Sequence, residues 1–311
     1  MGLDILSFKG KKVFITGNTG FKGSWLTSLL LEIGAKIYGY SLKPNTKPCM
    51  YDVLDIKNNI TQTFGDVRNH NLLSKSINDF KPDIIIHLAA QPLVRDSYID
   101  PKYTYETNVL GTVNVLDVAK ELDSVQSILV ITSDKCYMNL EIDYAYEEND
   151  SLGGHDPYSN SKACADLIAT SYYKSFFANI GVGLAIARAG NIIGGGDWSK
   201  DRIVPDAVRA FSSANILEIR NPNAIRPWQY VLDPLYGYLQ LIDCLTKDQN
   251  AFSGPWNFGP SIDTNDSVRY VCDRITKLWG NNSRWIIKDT EDTSHEANLL
   301  MLNSNKASEK I

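Results

Sequence analysis

A glycine-rich stretch, TGNTGFKGSWL at residues 16–26, constrains the fold of this chain more than any other feature. It follows KVFIT (12–16), a pattern typical of a buried strand, and it opens a helical pattern over residues 21–33. Its glycines are Gly17, Gly20 and Gly23. Glycines between a strand and a helix let the backbone approach a diphosphate, and the free N–H groups of the helix start then face the phosphates. The stretch therefore predicts dinucleotide binding in a βαβ unit, with a purely structural turn as the alternative.

Short runs rich in Ile and Val alternate with helical patterns through the first 189 residues. Further strands are predicted at 35–40, 83–90, 127–132 and 183–189, and helices at 69–79, 101–121 and 157–178. Apolar runs separated by helices indicate a parallel sheet that is covered on both faces. We therefore predict an α/β protein whose residues 1–189 form a Rossmann-type, doubly wound parallel sheet that binds the cofactor and carries the catalytic residues.

From Gly190 onward the chain becomes rich in Gly, Pro, Asn and Trp, as in NIIGGGDW, RNPNAIRPW and SGPWNFGP. Such composition is typical of loops and short strands rather than of another α/β layer. We predict a smaller C-terminal substrate-binding lobe at residues 190–311, from which WQYV and PWNFG return to the sheet.

Composition excludes several classes of protein. Of the 311 residues, 43% are hydrophobic and 22% are charged, which is ordinary for a globular protein. A net charge of −5 argues against a nucleic-acid binder. The five cysteines have no metal-ligand spacing, so neither a metal site nor a disulfide framework is expected. There is no signal-peptide pattern and no apolar stretch near about 18 residues. We expect a cytoplasmic protein that does not bind membranes.

Two short motifs carry candidate catalytic groups. YSNSK sets Tyr158 and Lys162 four residues apart, on one face of a helix, where an ammonium would favour the phenolate and lower the tyrosine pKa. TSDKCY (132–137) places Asp134 beside Lys135 directly after a buried run. Either motif alone is more typical of a solvated surface. Together with the glycine turn they indicate catalysis.

With these three elements the chain resembles the extended short-chain dehydrogenase/reductase family over essentially its whole length. The segments that carry the resemblance are GNTGFKGSWL, AAQPLVRDSY, TSDKCY, DPYSNSKACADLI, RAGNIIGGGDW, DRIVPD and RNPNAIRPWQYVLDPLYGYL. They are most similar to the sugar-nucleotide 4,6-dehydratase branch, and within it to the enzymes that act on CDP-glucose. The family pattern continues past NSNKASEKI, so we expect a lobe with a short C-terminal end.

The resemblance implies a redox-neutral dehydration of CDP-glucose to CDP-4-keto-6-deoxyglucose, with oxidation at C4, loss of water across C5 and C6, and hydride return to C6. Tyr158 would take the proton of the 4-hydroxyl, Lys162 would hold the cofactor ribose, and Ser133 would bind O4. Asp134 is the candidate acid for the departing 6-hydroxyl. Lys135 is a candidate base at C5, and a water or another side chain remains open.

The resemblance also implies the binding residues. Those for NAD are Gly17, Thr19, Gly20, Phe21, Lys22, Gly23, Asp66, Val67, Leu88, Ala89, Ala90, Asn108, Thr132, Tyr158 and Lys162. Those for the nucleotide sugar are Gln91, Asn191, Arg202, Arg220, Arg226 and His295. Asp66 either receives the adenine amino group or is only a turn acid. Ser41 and Lys43 replace the usual acid after the second strand, and because neither is a planar fork for a 2′-phosphate, NAD is expected over NADP. A homodimer that pairs through helices 101–121 and 157–178 is implied as well.

Two other functions fit part of the pattern. A nucleotide-sugar 4-epimerase would share Tyr158 and Lys162 but needs no acid at C6, so Asp134 and Lys135 argue against it. A non-catalytic NAD-binding regulator of the same fold can lose the tyrosine or the lysine, and both are present here.

Overall fold

The computed structural model describes residues 4–261, 266–288 and 297–311. The strands are β1 (Lys12–Thr16), β2 (Lys36–Ser41), β3 (Thr61–Phe64), β4 (Ile84–His87), β5 (Ser127–Ile131), β6 (Ala145–Tyr146), β7 (Gly183–Ala189), β8 (Asn191–Ile193), β9 (Leu217–Ile219), β10 (Ile225–Arg226), β11 (Trp228–Tyr230), β12 (Gly254–Phe258), β13 (Asp266–Ser267), β14 (Trp285–Ile287) and β15 (Met301–Leu302). The α-helices are α1 (Phe21–Glu32), α2 (Met50–Val53), α3 (His70–Phe80), α4 (Val94–Ile99), α5 (Pro101–Tyr105), α6 (Gly111–Ala119), α7 (Pro157–Tyr172), α8 (Ala178–Ile180), α9 (Ile203–Ser212), α10 (Leu232–Lys247), α11 (Gln249–Phe252), α12 (Val268–Trp279) and α13 (Asn305–Lys310). Short 3-10 helices cover Ile5–Phe8, Ile56–Asn59 and Asp134–Cys136, and π-helical turns cover Glu106–Leu110 and Tyr173–Phe177.

Seven parallel strands form the central sheet in the order β12-β7-β5-β4-β1-β2-β3. Every residue of β5 and β7 is buried, as expected for central strands covered on both faces. The chain crosses to the other half of the sheet between β3 and β4, so the strand order reverses between the neighbours β1 and β4, where loops at the carboxyl ends of the strands diverge. The predicted Rossmann-type fold is confirmed.

Alternate residues of β1 enter two different apolar layers, because successive side chains of a strand point to opposite faces. Ile15 packs with Leu30 of α1 and Leu235 of α10. Phe14 packs in the other layer with Leu73 of α3 and the residues of α6 and α7. The two layers fix α1 and α7, which carry the candidate cofactor and catalytic residues, on opposite faces of one sheet.

The two predicted long helices each contain a π-helical turn. The run from 101 to 119 consists of α5, one π turn and α6, and the run from 157 to 180 consists of α7, a second π turn and α8. The two runs pack against each other beside the sheet. None of the helices in the described residues is long and apolar enough to span a bilayer.

The C-terminal part differs from the expectation of loops and short strands. The helix α10 packs on the sheet with its buried residues Leu235, Leu239 and Ile242, and β12 then extends the sheet beyond β7. The segment PWNFG thus returns to the sheet as predicted, but WQYV pairs with β8 outside it. Pro234 lies within the first turn of α10, where proline is tolerated, so the proline-rich context concealed a helix. A separate apolar cluster that includes Phe211, Leu217 and Cys272 forms the core of the small lobe.

Candidate active site

A cavity of about 350 Å³ opens at the carboxyl edge of the sheet, between the sheet and the small lobe. Its wall includes most of the predicted reactive groups, namely Lys22, Ser133, Asp134, Lys135, Tyr158, Lys162, Asn191, Arg202, Arg220 and Arg226. Ligands of doubly wound sheets bind at this edge, beside the point where the strand order reverses. The residues predicted from separate motifs are therefore brought together in one place.

The glycine turn is packed so closely that side chains are excluded at two positions. Gly17 has a φ of +74°, and a Cβ there would lie 2.7 Å from the backbone nitrogen of Ala89. A Cβ on Gly23 would lie 2.2 Å from the Gly17 carbonyl oxygen. Gly20 caps α1 without any side-chain hydrogen bond, so the first N–H groups of the helix stay available. This cradle fits the diphosphate of a dinucleotide.

Most of the other residues predicted to bind the cofactor follow the carboxyl ends of β1, β3, β4 and β5. Thr19 Oγ1 donates to the Leu42 carbonyl at 2.9 Å, and it lies 2.6 Å from Ser41 Oγ. Burial raises the pKa of Asp66, but its hydrogen bonds with Arg68 outweigh this and hold the pKa below its usual value. Phe21, Leu88, Ala90 and Thr132 line the cavity, whereas Val67 is buried. Their cofactor contacts stay predictions.

Ser133 and Asp134 lie where β5 ends and a 3-10 turn begins. Ser133 Oγ caps that turn by accepting from the Lys135 N–H at 3.2 Å, and it donates to Asp134 Oδ1 at 2.8 Å. Asp134 is only 2% exposed, and its Oδ2 has no hydrogen-bond partner among the described residues. Lys135 is half-buried in the cavity wall. The second oxygen of this buried carboxyl is therefore available to a ligand bound in the cavity.

Tyr158 and Lys162 lie on α7 as their spacing predicts, but the expected lowering of the tyrosine pKa is wrong. Burial raises the pKa of Tyr158 to about 12, although hydrogen bonding with Ser133 and the charge of Arg202 oppose this. The Lys162 ammonium donates to the Ile131 carbonyl at 3.2 Å, and burial lowers its pKa to about 8. Loss of hydration therefore outweighs the predicted effect of the ammonium on the phenol.

Lys22, which the sequence predicts only as a cofactor contact, also lies near the catalytic group. Burial and the nearby charges of Lys162 and Arg202 lower the pKa of Lys22 to about 7, and Asp134 opposes them. The first turn of α1 thus brings an ammonium to the catalytic group as well as to the cofactor cradle. The signal was available, because side chains of a first helical turn extend toward the same side as the free N–H groups.

Four of the six predicted nucleotide-sugar residues lie in the cavity wall. Asn191 and the three arginines line the cavity, and Arg202 and Arg220 pair with Asp197 at 2.9 Å and Asp201 at 3.1 Å. Arg226 is buried and donates to the carbonyls of Ile225 and Ala297.

Gln91 and Asn108 lie outside the cavity wall, and their side-chain amides form hydrogen bonds with other groups of the protein. Gln91 Nε2 donates to the Leu93 carbonyl and to Thr104, and its Oε1 accepts from the Leu93 N–H. Asn108 bonds the backbone of Gln91. His295 lies outside the residues that the structure describes. The ligand contacts of these three residues stay predictions.

A glycine cradle after β1, combined with serine, tyrosine and lysine at the carboxyl edge of a Rossmann-type sheet, defines a short-chain dehydrogenase/reductase. A sequence model of one family in this class, described as GDP-mannose 4,6 dehydratase, matches residues 14–308. The chain belongs to this GDP-mannose 4,6-dehydratase family.

Relatives within and around this family differ in the reactions that their names state. The chain is 47% identical to CDP-glucose 4,6-dehydratase of Salmonella typhimurium over 309 residues, which are 98% of this chain and 86% of that protein. Among solved structures, dTDP-glucose 4,6-dehydratase of Bacillus anthracis in complex with NAD has a TM-score of 0.77 at 22% identity, covering 96% of this chain and 89% of that one. UDP-glucose 4-epimerase of Thermotoga maritima with UDP-glucose has a TM-score of 0.81 at 17% identity, covering 96% and 91%. The two structures show that the fold is shared.

Proposed function

We propose that this protein is an NAD-dependent hydro-lyase that converts CDP-glucose to CDP-4-keto-6-deoxyglucose. The observation that carries the proposal is the buried Asp134 carboxyl, whose Oδ2 lacks a partner among the described residues and which lies in the cavity with Ser133 and Tyr158. Water loss from C6 needs an acid at this place, whereas 4-epimerisation does not. The 47% identity to a CDP-glucose 4,6-dehydratase supports the same substrate.

The glycine cradle fits NAD, with Gly17, Gly20 and Gly23 allowing close approach of the diphosphate and Lys22 and Lys162 facing the reactive end of the cavity. When bound, NAD supplies an acceptor for the C4 hydride and returns that hydride to C6. The cavity wall contains Lys162 and Arg202, whose positive charge favours an anionic ligand, and the charge of Arg202 also favours the Tyr158 phenolate.

Tyr158 takes the proton from the sugar 4-hydroxyl, and Ser133 donates a hydrogen bond to O4. The raised pKa of about 12 makes Tyr158 a poor base by itself, so the bound cofactor and sugar must favour its phenolate. Ser133 and Arg202 already act in that direction. Lys162 holds the ribose hydroxyls, either in place of its hydrogen bond to the Ile131 carbonyl or in addition to it.

Asp134 donates a proton to the departing 6-hydroxyl, which requires that its carboxyl be protonated before elimination. Asp134 is 2% exposed, and its Oδ2, which lacks a partner among the described residues, is the atom that would carry and deliver this proton. The C5 proton goes to Lys135, to a water or to another side chain.

The CDP diphosphate binds Asn191, Arg202, Arg220 and Arg226, with His295 as a further contact to the nucleotide. It must compete with Asp197 and Asp201 for two of these guanidinium groups. The protein acts in the cytoplasm as a homodimer that pairs through the helical runs 101–119 and 157–180. Exposed apolar side chains on these runs, Leu110, Leu167, Phe176 and Ile180, support that face.

Incubation with NAD and CDP-, dTDP-, UDP- or GDP-glucose, followed by mass analysis, tests the proposal. CDP-glucose should lose one water, and the other nucleotides should react much more slowly. An unchanged mass with a new retention time would instead indicate epimerisation, and no change with any sugar would indicate a non-catalytic protein.

A further inference from the structure

His87 is a buried imidazole at the end of β4 that the mechanism above does not use. It is 3% exposed and bonds a threonine on each side. Its Nδ1 lies 2.7 Å from Thr16 Oγ1, and its Nε2 lies 3.1 Å from Thr112 Oγ1.

The neighbours of the two threonines fix the direction of these bonds. The Thr112 hydroxyl donates its one hydrogen to the Asn108 carbonyl at 2.7 Å, so it must accept from His87 Nε2–H. Burial and the charge of Lys162 lower the pKa of His87 to about 3, so the ring is neutral and its Nδ1 accepts from the Thr16 hydroxyl. Thr16 Oγ1 in turn accepts from the N–H groups of Leu88 and Ala89 at 3.1 and 3.2 Å.

The same bonds continue to the catalytic helix. The Asn108 amide accepts from the Gln91 N–H at 2.8 Å and donates to Ser161 Oγ, also at 2.8 Å. Ser161 Oγ then donates to the carbonyl of Tyr158 at 2.7 Å. One buried network therefore joins residues 88–91, which border the cavity at Leu88 and Ala90, to the first turn of α7.

We propose that His87, held as the Nε2–H tautomer, is a positioning residue that sets the distance between the cofactor wall and Tyr158. Its Nδ1 side, through Thr16, holds Leu88 and Ala89 against the glycine turn, where Gly17 and Ala89 are in close contact. Its Nε2 side holds the Asn108 carbonyl and, through Ser161, the start of α7. The effect on the position of Tyr158 rests on the proposed dehydratase function, and the effect on the cofactor wall requires only NAD binding.

Two substitutions separate the two sides of the ring. The side-chain amide of Gln can take the place of Nε2, and the side-chain amide of Asn can take the place of Nδ1. His87→Gln keeps the donor to Thr112, and it should weaken NAD binding about tenfold while kcat at saturating NAD stays near normal. His87→Asn keeps the acceptor for Thr16, and it should lower kcat about tenfold with NAD affinity near normal. If His87 only stabilises the fold, both variants melt at lower temperature with kcat and NAD affinity per folded site unchanged, and the proposal is overturned.

Two threonine substitutions test the same network if the histidine variants do not fold. Thr112→Val breaks the network and should reproduce His87→Asn. Thr107→Val, in the same helical run, removes a buried hydroxyl that has no hydrogen-bond partner among the described residues and should leave both constants near normal. Equal effects of the two valine variants would contradict the proposal.

Nitrogen-15 NMR of histidine-labelled protein without ligands gives a readout that does not depend on activity. The His87 ring should show a protonated Nε2 and an unprotonated Nδ1, unchanged from pH 8 down to about pH 5. A protonated Nδ1 or a charged ring at pH 7 would overturn the assignment of the network. If the wild type binds NAD but leaves CDP-glucose unchanged, the dehydratase proposal fails. The tautomer of His87 and the NAD affinity of His87→Gln still test the proposed role of His87.

Discussion

Asp134 and Lys135 are neighbours in sequence, but the structure gives them different surroundings. Asp134 is buried with one carboxyl oxygen bonded to Ser133 and the other without a described partner, whereas Lys135 is half-buried in the cavity wall. The unpartnered Asp134 Oδ2 can bond a ligand hydroxyl, and a half-buried lysine in the cavity wall carries no comparable signal. The acid role of Asp134 therefore has stronger support than the base role of Lys135.

Asp134→Asn should separate the steps of the proposed reaction. The amide nearly preserves shape and hydrogen bonding but cannot deliver a proton to the 6-hydroxyl. We expect C4 to be oxidised, reduced cofactor to remain on the enzyme, and product formation to fall by about 10²–10⁴. Single-turnover absorbance together with product analysis measures both.

Lys135→Met is the companion variant, because it should also block exchange of the C5 hydrogen with deuterated water if Lys135 is the base. Near-normal turnover in Asp134→Asn would exclude the acid role.

Lys22 makes the stability of the ligand-free protein depend on pH. Its pKa of about 7 in the folded state lies below the usual value for lysine, so the folded state binds fewer protons than the unfolded state between about pH 7 and pH 10. The free energy of unfolding should therefore rise with pH in that range, and the lowered pKa of Lys162 acts in the same direction. Lys22→Met should raise stability at pH 7 and flatten the rise.

Denaturant titrations at several pH values check this, with the exposed Lys57→Met as the control. Measurements stay below about pH 8, because burial raises the pKa of the thiols of Cys49, Cys136, Cys244 and Cys272, which adds an opposite dependence once the unfolded thiols ionise at about pH 8.5. A slope in Lys22→Met equal to that of the wild type would show that Lys22 is not desolvated.

Sequence patterns located some of these residues and could not locate others. The four-residue spacing of Tyr158 and Lys162 is a property of one helix, so it could be read directly. The partners of Gln91 and Asn108 could not, because Thr104 and Ser161 come from other segments that only the fold brings near. For the same reason the expected pKa of Tyr158 was wrong, since burial depends on the whole cavity.

At the scale of elements, the β1–α1 turn combines two kinds of glycine. Gly17 and Gly23 are required by the packing of the protein itself, whereas a Cβ on Gly20 would meet only the Gly17 carbonyl oxygen at 3.4 Å, an ordinary contact. The packing of the protein therefore does not require glycine at position 20, whereas the proposed approach of the NAD diphosphate would.

Gly23→Ala should lower the free energy of unfolding by about 1–3 kcal/mol, because the 2.2 Å approach to the Gly17 oxygen outweighs the better helix propensity of alanine. Gly20→Ala is the matched control and should change stability little while it weakens NAD binding. Denaturant titration and NAD titration measure the two effects separately. Equal destabilisation by both substitutions would contradict the proposed division.

Elements with a strong local signal were predicted well, and the helix α10 was not. The strands of β1, β5 and β7 are short apolar runs bounded by clear breaks, and their bounds agree within a residue or two. The signal of α10 was hidden by Pro234 and Gly237. That glycine is explained by packing, because a Cβ there would lie 2.4 Å from the Phe258 ring of β12.

At the scale of the whole molecule, the proposed dimer face consists of the two helical runs that pack beside the sheet. Leu110 and Leu167 on these runs are 54% and 56% exposed in the single chain. The double substitution Leu110→Arg and Leu167→Arg should convert a dimer to a monomer, because charges at the centre of an apolar interface are costly to bury. Light scattering at micromolar concentration measures this.

Leu278→Arg, at a leucine of the small lobe that is 80% exposed, is the control and should leave the dimer intact. A wild-type protein that is already monomeric would refute the proposed assembly.

The central claim is that one cavity oxidises C4, removes water and reduces C6 without net consumption of NAD. The most direct measurement is the fate of deuterium in CDP-glucose labelled at C4, followed by mass spectrometry and NMR of the product. The account predicts a product that has lost one water, that carries the deuterium at C6, and that forms without accumulation of free NADH. A product of unchanged mass, or deuterium that appears in released NADH instead of at C6, would contradict it.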